Sequence, residues 1–249
     1  MFYWLMKGII LGPLTRLLYR PWVKGLENVP ESGGAIVAGN HLAVFDSFIA
    51  ALVLPRKVTF LGKAEWVEGK GIRGRLKAFF MNGVGLVPVD RTDSKASAAA
   101  LRTGLRILEE GKLFGIYPEG TRSPDGRLYR GKTGVARLAL HSGAPVIPIV
   151  MIGTNIAQPI GRVIPRPMRV GVVIGEPLDF SRYQGMVDDR FVLRAVTDEI
   201  MYTLMGLSGQ EYVDIYAATA KARLAAGKPV EREGGAPGPG GRQAPPTDE

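Results

Sequence analysis

Short apolar runs separated by amphipathic stretches set the pattern of this chain. Ala35–Gly39, Val58–Leu61, Val84–Val89, Leu113–Tyr117, Val146–Ile152 and Met168–Ile174 lack a polar alternation, which predicts strands buried on both faces. Between them the chain reads as helix: about 43–54, closed by Pro55; a basic stretch over 71–80 with Arg73, Arg75 and Lys77; Ser94–Glu110, ended by Gly111; and Lys132–His141, stopped by Gly143. Two more helices are predicted over 187–207 and 210–226. Alternating strands and helices predict an α/β fold, with a mostly parallel central sheet flanked by helices. There is no internal repeat.

The two ends differ from this middle. Residues 1–20 are mostly apolar, with Phe2, Tyr3 and Trp4, but also contain Lys7, Pro13, Arg16 and Arg20. That is too many breaks and charges for a spanning helix, which needs about 20 apolar residues, and no small-residue cleavage site follows. The segment is expected to be a membrane-interface helix, with a helix packed on the protein's own core as the alternative. Residues 227–249 contain 6 Gly and 5 Pro and almost nothing apolar, and are expected to be disordered. The expected organisation is an interface helix over 1–20, an α/β domain over 21–185, C-terminal helices packed on it over 186–226, and the Gly/Pro-rich tail.

Composition narrows the chemistry. There are no cysteines, which removes disulfides, thiolate metal sites and cysteine nucleophiles, and only two histidines, His41 and His141, which argues against a histidine metal site. The formal net charge is +9, and the tail carries none of the surplus, so the folded part is basic. An anionic partner is expected: a membrane surface, a phosphorylated substrate or nucleic acid.

Candidate chemistry sits where strands end. His41 directly follows Ala35–Gly39 in N-H-L-A-V-F-D, with Asp46 five residues on. In a continuous helix that spacing would turn the two about 140° apart. They meet only if His41 lies in the turn before the helix and Asp46 in its first turn, where a carboxylate on one imidazole nitrogen leaves the other free to take a proton. The same spacing also fits a plain capping arrangement. Y-P-E-G-T-R-S at 117–123 ends another strand, with Gly120 for an unusual backbone angle and Arg122 as a planar fork for phosphate; an ordinary polar turn is the alternative. Lys63 and Arg91 follow two further strands. In a parallel sheet these ends share one edge, so one base and three cations would line a single crevice.

In order along the chain, H-x4-D, G-K-A-E-W, G-V-G-L-V-P-V-D-R, Y-P-E-G-T-R-S and P-V-I-P-I resemble the motif blocks of the glycerolipid acyltransferase family, nearest its bacterial 1-acylglycerol-3-phosphate acyltransferase branch, over about residues 22–180. The resemblance implies His41 as general base oriented by Asp46, with Lys63, Arg91 and Arg122 around the acceptor phosphate and Glu119, Gly120 and Thr121 completing that pocket. It further implies an acyl-CoA or acyl-carrier-protein donor, a lysophospholipid acceptor, no cofactor and no metal, at the cytoplasmic face of a membrane with an anionic surface. Tyr117 stands where phenylalanine is common. Oxyanion donors are expected among the backbone amides after His41. Ser47 is a weaker nucleophile candidate, because His141 lies at a helix end and cannot activate it.

Two rival readings stay open on sequence. One is a phosphohydrolase with Asp46, Asp90 and Glu119 around a divalent metal. The other is a basic module that binds membranes or nucleic acid without catalysis, although aromatics are not interleaved with the cations as single-strand binders require. Within the family, the acceptor could be another lysophospholipid or a mannosylated phosphoinositide.

Overall fold

The computed structural model describes residue 4 and residues 6–63, 86–89 and 94–230. A π-helical stretch, Met6–Leu11, runs into α1 (Gly12–Tyr19). There follow β1 (Trp22–Lys24), β2 (Ala35–Gly39), α2 (Phe45–Val53), β3 (Val58–Lys63), β4 (Leu86–Val89), α3 (Ser94–Glu109), β5 (Leu113–Ile116), β6 (Leu128–Tyr129), α4 (Gly134–Ser142) and β7 (Val146–Ile152). The chain continues through α5 (Thr154–Ala157), β8 (Gly171–Ile174), α6 (Arg190–Ser208), β9 (Tyr212–Val213) and α7 (Ala217–Ala225).

Seven strands form one sheet in the order β1-β8-β7-β2-β5-β3-β4. β2, β3, β4, β5 and β7 all run parallel. β8 is antiparallel to β7, and β1 pairs parallel with β8, so the two strands at that edge run the other way. The mostly parallel sheet expected from the sequence is present, with a reversed edge that apolar runs alone cannot reveal.

Alternating residues of each strand go to opposite faces, and both faces are covered, which is why the runs are apolar throughout. Ala35, Val37, Leu113, Ile147, Ile149 and Met151 pack with Phe45, Ile49, Ala50 and Leu54 of α2 on one face. Ile36, Ala38, Phe114, Val146 and Val150 pack with α3, α4 and α6 on the other, through Ile107, Leu108, Val135, Leu138, Leu193 and Ile200. Helix α6 starts on an Asp189 cap, whose carboxylate accepts from the amides of Phe191 (2.8 Å) and Val192 (3.2 Å).

The helix expected over 210–226 is shorter than its sequence pattern. Residues 212–213 are extended and pair with β6, and the helix starts only at Ala217. Val213 buries against Tyr129 in a small third cluster, and this tertiary pairing outweighs helical propensity in the segment after Gly209. The basic helix expected over 71–80, together with Lys70, Arg73 and Arg75, lies outside the described residues, as does the tail beyond 230.

At the N-terminus, α1 packs on the protein's own core along one side. Gly12, Thr15 and Tyr19 of α1 are buried, and the Tyr19 ring meets Phe45 of α2 at 4.6 Å between centroids. Leu14, Leu17 and Leu18 of the same helix remain exposed. Among the described residues, no helix is long and apolar enough to cross a membrane.

One glycine controls the packing that reaches the site. A Cβ on Gly115 of β5 would stand 2.2 Å from the Phe60 ring of β3, and Phe60 in turn stacks on Tyr117 (5.3 Å between centroids). Gly115→Ala should therefore displace Phe60 and destabilise the chain by about 1–3 kcal/mol through overpacking. Denaturant melts of the two proteins check this; identical midpoints would show that the ring moves freely.

Candidate active site

The carboxyl ends of β2, β3, β4 and β5 share one edge, because these strands are parallel neighbours or near neighbours. β2 ends at Gly39, and the next five residues turn the chain into α2. His41 is in that turn and Asp46 is the second residue of α2, so the five-residue spacing becomes a contact. His41 Nδ1 lies 3.0 Å from Asp46 Oδ2. Asp46 is fully buried, and the same Oδ2 also accepts from the amides of Leu42 (2.7 Å) and Ala43 (2.8 Å). An acceptor-only carboxylate at Nδ1 requires the proton there and leaves the lone pair on Nε2. Asp46 Oδ1 is buried and accepts no hydrogen bond from a described residue.

The ring is held on its flat face as well. Tyr117, the residue after β5, stacks on His41 with centroids 3.9 Å apart and planes 8° from parallel. Its hydroxyl shares a 2.8 Å hydrogen bond with Ser47 Oγ. Burial, and then the nearby Asp46 charge, push the Tyr117 hydroxyl well above its ordinary range, so it stays protonated. Ser47 is thereby engaged with a phenol and not with an imidazole. His141 sits exposed at the end of α4, with Nδ1 2.8 Å from its own helix's Arg137 carbonyl.

The second turn is bonded directly to the first. The His41 amide donates to Glu119 Oε1 (3.1 Å), and the His41 carbonyl accepts from the Ser123 amide (2.7 Å). Glu119 Oε2 accepts from the Tyr129 amide (3.1 Å). Glu119 is therefore a buried brace between backbones, which its place in a polar turn does not suggest. Gly120 has φ +71°, a left-handed angle that a Cβ would strain. A Cβ there would also meet Lys132 Cε at 3.1 Å, so the Lys132 side chain lies over the turn. Thr121 Oγ1 accepts from Lys221 Nζ of α7 (2.5 Å). Arg122 is half-buried and has no hydrogen bond or ion pair among the described residues.

His41, Asp46, Glu119, Gly120, Thr121 and Arg122 are thus brought together. Lys63 ends β3 on the same edge, with its side chain outside the description, and Arg91 lies outside the described residues. Four further contributors were not singled out from sequence. Tyr117 adjoins the E-G-T-R turn, and Asn40 is a buried polar residue ending an apolar strand, so both carried a local signal. Asn40 Oδ1 accepts from the Met151 amide (2.8 Å), while its Nδ2 donates to the Met151 carbonyl (3.1 Å) and to Gln210 Oε1 (2.7 Å), which fixes the chain entering His41. Lys132 and Lys221 carried none, since a lysine on a helix or loop is ordinarily solvated.

One expectation is narrowed. The amides of Leu42 and Ala43 are committed to Asp46, and the Phe45 amide donates to Gln158 Oε1 (2.8 Å), so these three are not free to stabilise an oxyanion. Of the residues in the metal reading, both oxygens of Glu119 and one of Asp46 accept from backbone amides, and Asp90 lies outside the described residues.

Burial pushes the Glu119 carboxyl up to about 8; Asp46 adds in the same direction, against the two amides and Lys221, which pull it down. Between its ordinary 4.5 and about 8, the folded chain keeps a proton that the unfolded chain releases. Its contribution to stability is full below about 4.5 and is lost as pH rises through about 8. The melting temperature of wild type relative to Glu119→Gln should therefore fall as pH is raised from 5 to 9. At pH 5 the variant should be less stable by about 1–3 kcal/mol, because an amide NH2 faces one of the backbone donors.

The chain is similar to several known proteins. Residues 20–152 match the profile of the acyltransferase family. A chloroplastic 1-acyl-sn-glycerol-3-phosphate acyltransferase of Brassica napus is 31% identical over 173 residues, covering 69% of this chain and 48% of that protein. The enzyme of the same name from Bacillus subtilis is 29% identical over 154 residues, 61% of this chain and 70% of its own. The one from Borreliella burgdorferi is 31% identical over 53% of this chain and 51% of its own, so the chain spans about half the length of some of the relatives it matches. The crystal structure of the 1-acyl-sn-glycerophosphate acyltransferase PlsC from Thermotoga maritima superposes with a TM-score of 0.61 at 27% identity, covering 81% of this chain and 76% of that one. With a profile match over more than half of its length, from β1 through β7, this chain belongs to the acyltransferase family.

Proposed function

We propose that the chain transfers a fatty acyl group from acyl-CoA or acyl-carrier protein to the free hydroxyl of 1-acylglycerol-3-phosphate, forming phosphatidic acid at the cytoplasmic face of a membrane. The observation that carries this reading is the His41–Asp46 pair joined through His41's own backbone to the E-G-T-R turn. A base and an anion-binding turn are thereby held at one fixed separation, as a substrate bearing both a hydroxyl and a phosphate requires.

The steps follow from that arrangement. His41 Nε2 takes the proton of the acceptor hydroxyl as its oxygen attacks the thioester carbonyl. Asp46 stabilises the imidazolium that forms. The tetrahedral intermediate collapses, the carbon–sulfur bond breaks, and the thiolate leaves with the proton from His41. The acyl group goes straight to the acceptor, so no acyl-enzyme forms. Arg122 serves the acceptor phosphate, with Lys63 at the end of β3 and with Arg91, which follows β4 in sequence, while Lys132 and Lys221 add positive charge around Gly120 and Thr121. The relatives named as 1-acyl-sn-glycerol-3-phosphate acyltransferases support this choice of acceptor.

His41→Ala should lower the transfer rate roughly 10²- to 10⁴-fold with the fold intact. A folded variant that keeps a third of the wild-type rate would refute the base assignment. In Asp46→Asn, the amide oxygen can still accept at Oδ2, but the charge that stabilises the imidazolium is gone, so turnover should drop strongly without a change in melting temperature of the same scale.

Arg122→Ala should act mainly on acceptor saturation. Losing a charge-assisted contact costs about 1.5–3 kcal/mol, or roughly 10- to 150-fold in apparent acceptor affinity, with a smaller effect on the donor. Acceptor saturation curves that overlay wild type would remove Arg122 from the phosphate site. Product identification by mass spectrometry, using palmitoyl-CoA and a panel of lyso-acceptors, tests the acceptor itself.

A further inference from the structure

We infer that the loop between β7 and β8, residues 153–170, is a second lipid-contact surface that docks the catalytic edge on an anionic bilayer. This rests on the proposed lipid acceptor and adds a contact separate from the N-terminal helix.

The loop is built to hold apolar side chains in water. Ile156, Ile160, Val163 and Ile164 are 61%, 52%, 85% and 74% exposed, four large aliphatics within nine residues. They do not belong to a slack segment. The Arg166 amide donates to the Ala157 carbonyl (2.8 Å), closing the loop on itself, and the Arg162 amide donates to the Pro159 carbonyl (3.0 Å). Gln158 Nε2 donates to the Val163 carbonyl (2.8 Å) and Arg162 Nε to the Ile164 carbonyl (2.8 Å). Backbone carbonyls at the tip are thus satisfied internally while the side chains project, the form of a compact surface loop of functional type.

Its charge selects the occupant. Residues 153–170 contain Arg162, Arg166 and Arg169 and no acidic residue. A second copy of this chain would bring the same positive loop, and +9 overall, against it. An anionic leaflet complements both features, because aliphatics enter the acyl boundary while cations stay among the headgroups. Each arginine near such a surface is worth roughly a fivefold gain in partitioning.

Its position links it to the site. The loop leaves β7 one residue after Met151, whose backbone is paired to Asn40 beside His41. Gln158 bonds both the loop tip at Val163 and the Phe45 amide at the start of α2. At the other end, the Tyr19 hydroxyl of α1 donates to the Pro165 carbonyl (3.3 Å), so the loop joins the helix that exposes Leu14, Leu17 and Leu18.

The test uses the full chain, vesicle flotation and two double variants. Val163→Asp with Ile164→Asp should lower partitioning at least about tenfold on vesicles of phosphatidylcholine with or without phosphatidylglycerol. Arg162→Gln with Arg166→Gln should lower it at least about tenfold only where phosphatidylglycerol is present, and mostly at low salt. Both should keep the wild-type melting temperature and the wild-type rate on a short-chain acceptor dispersed as monomers. Variants that float like wild type overturn the inference. So does loss of monomer-acceptor activity, which would make the loop a structural support acting through Gln158, and so does a wild-type dimer that the variants dissolve without a change in flotation. If wild type transfers to no acceptor, the proposed function fails while flotation still decides the role of the loop.

Discussion

A single buried carboxyl group ties together the parts of this molecule that have to work as one. Glu119 accepts from the amide of His41 on one side and from the amide of Tyr129 on the other. The first bond joins the turn after β5 to the turn after β2. The second joins both to the β6–β9 pair, which anchors the C-terminal segment. Taking such a group out of water is costly unless its oxygens are satisfied, and each here has a backbone donor that exists only in the native arrangement. The brace therefore works in both directions: it needs the two turns in place, and it holds them there. Asp46 repeats the design on a smaller scale, using two amides of its own turn to fix the oxygen that faces His41.

Around this brace, the imidazole has little freedom. Its edge is fixed by Asp46 and its face by Tyr117, which rests on Phe60 above Gly115. The stack runs from the sheet interior to the site, so the orientation of the base is set by core packing as well as by polar bonds. The cations differ in kind. Arg122 is half-buried and uncommitted among the described residues, while Lys221 reaches the turn from a helix that neighbours it only in the folded chain.

What could be read in the sequence follows from what each feature depends on. Ala35–Gly39 and Val146–Ile152 were legible because strands buried on both faces leave apolar runs with sharp ends. The His41–Asp46 contact was legible because a turn followed by a helix start is the only geometry that closes a five-residue spacing. Trp22–Lys24, Leu128–Tyr129 and Tyr212–Val213 were not, since two or three residues carry no period and become strands only through a distant partner. The reversal of β8 was hidden for a related reason: an apolar run has no direction. Of the amides expected to be free after His41, those of Leu42 and Ala43 go to Asp46 and that of Phe45 to Gln158, a competition between acceptors that the sequence does not record.

The contribution of Lys221 has a consequence in time. The turn around His41 leaves the ribosome roughly 180 residues before α7 does. At about 5–20 residues per second, synthesis alone separates them by roughly 10–40 s. During that interval the nascent chain has its base but lacks β9, the bond to Thr121 and the partner strand that helps hold Tyr129 and, through it, Glu119. The order of synthesis thus delays assembly of the complete site until α7 has been made.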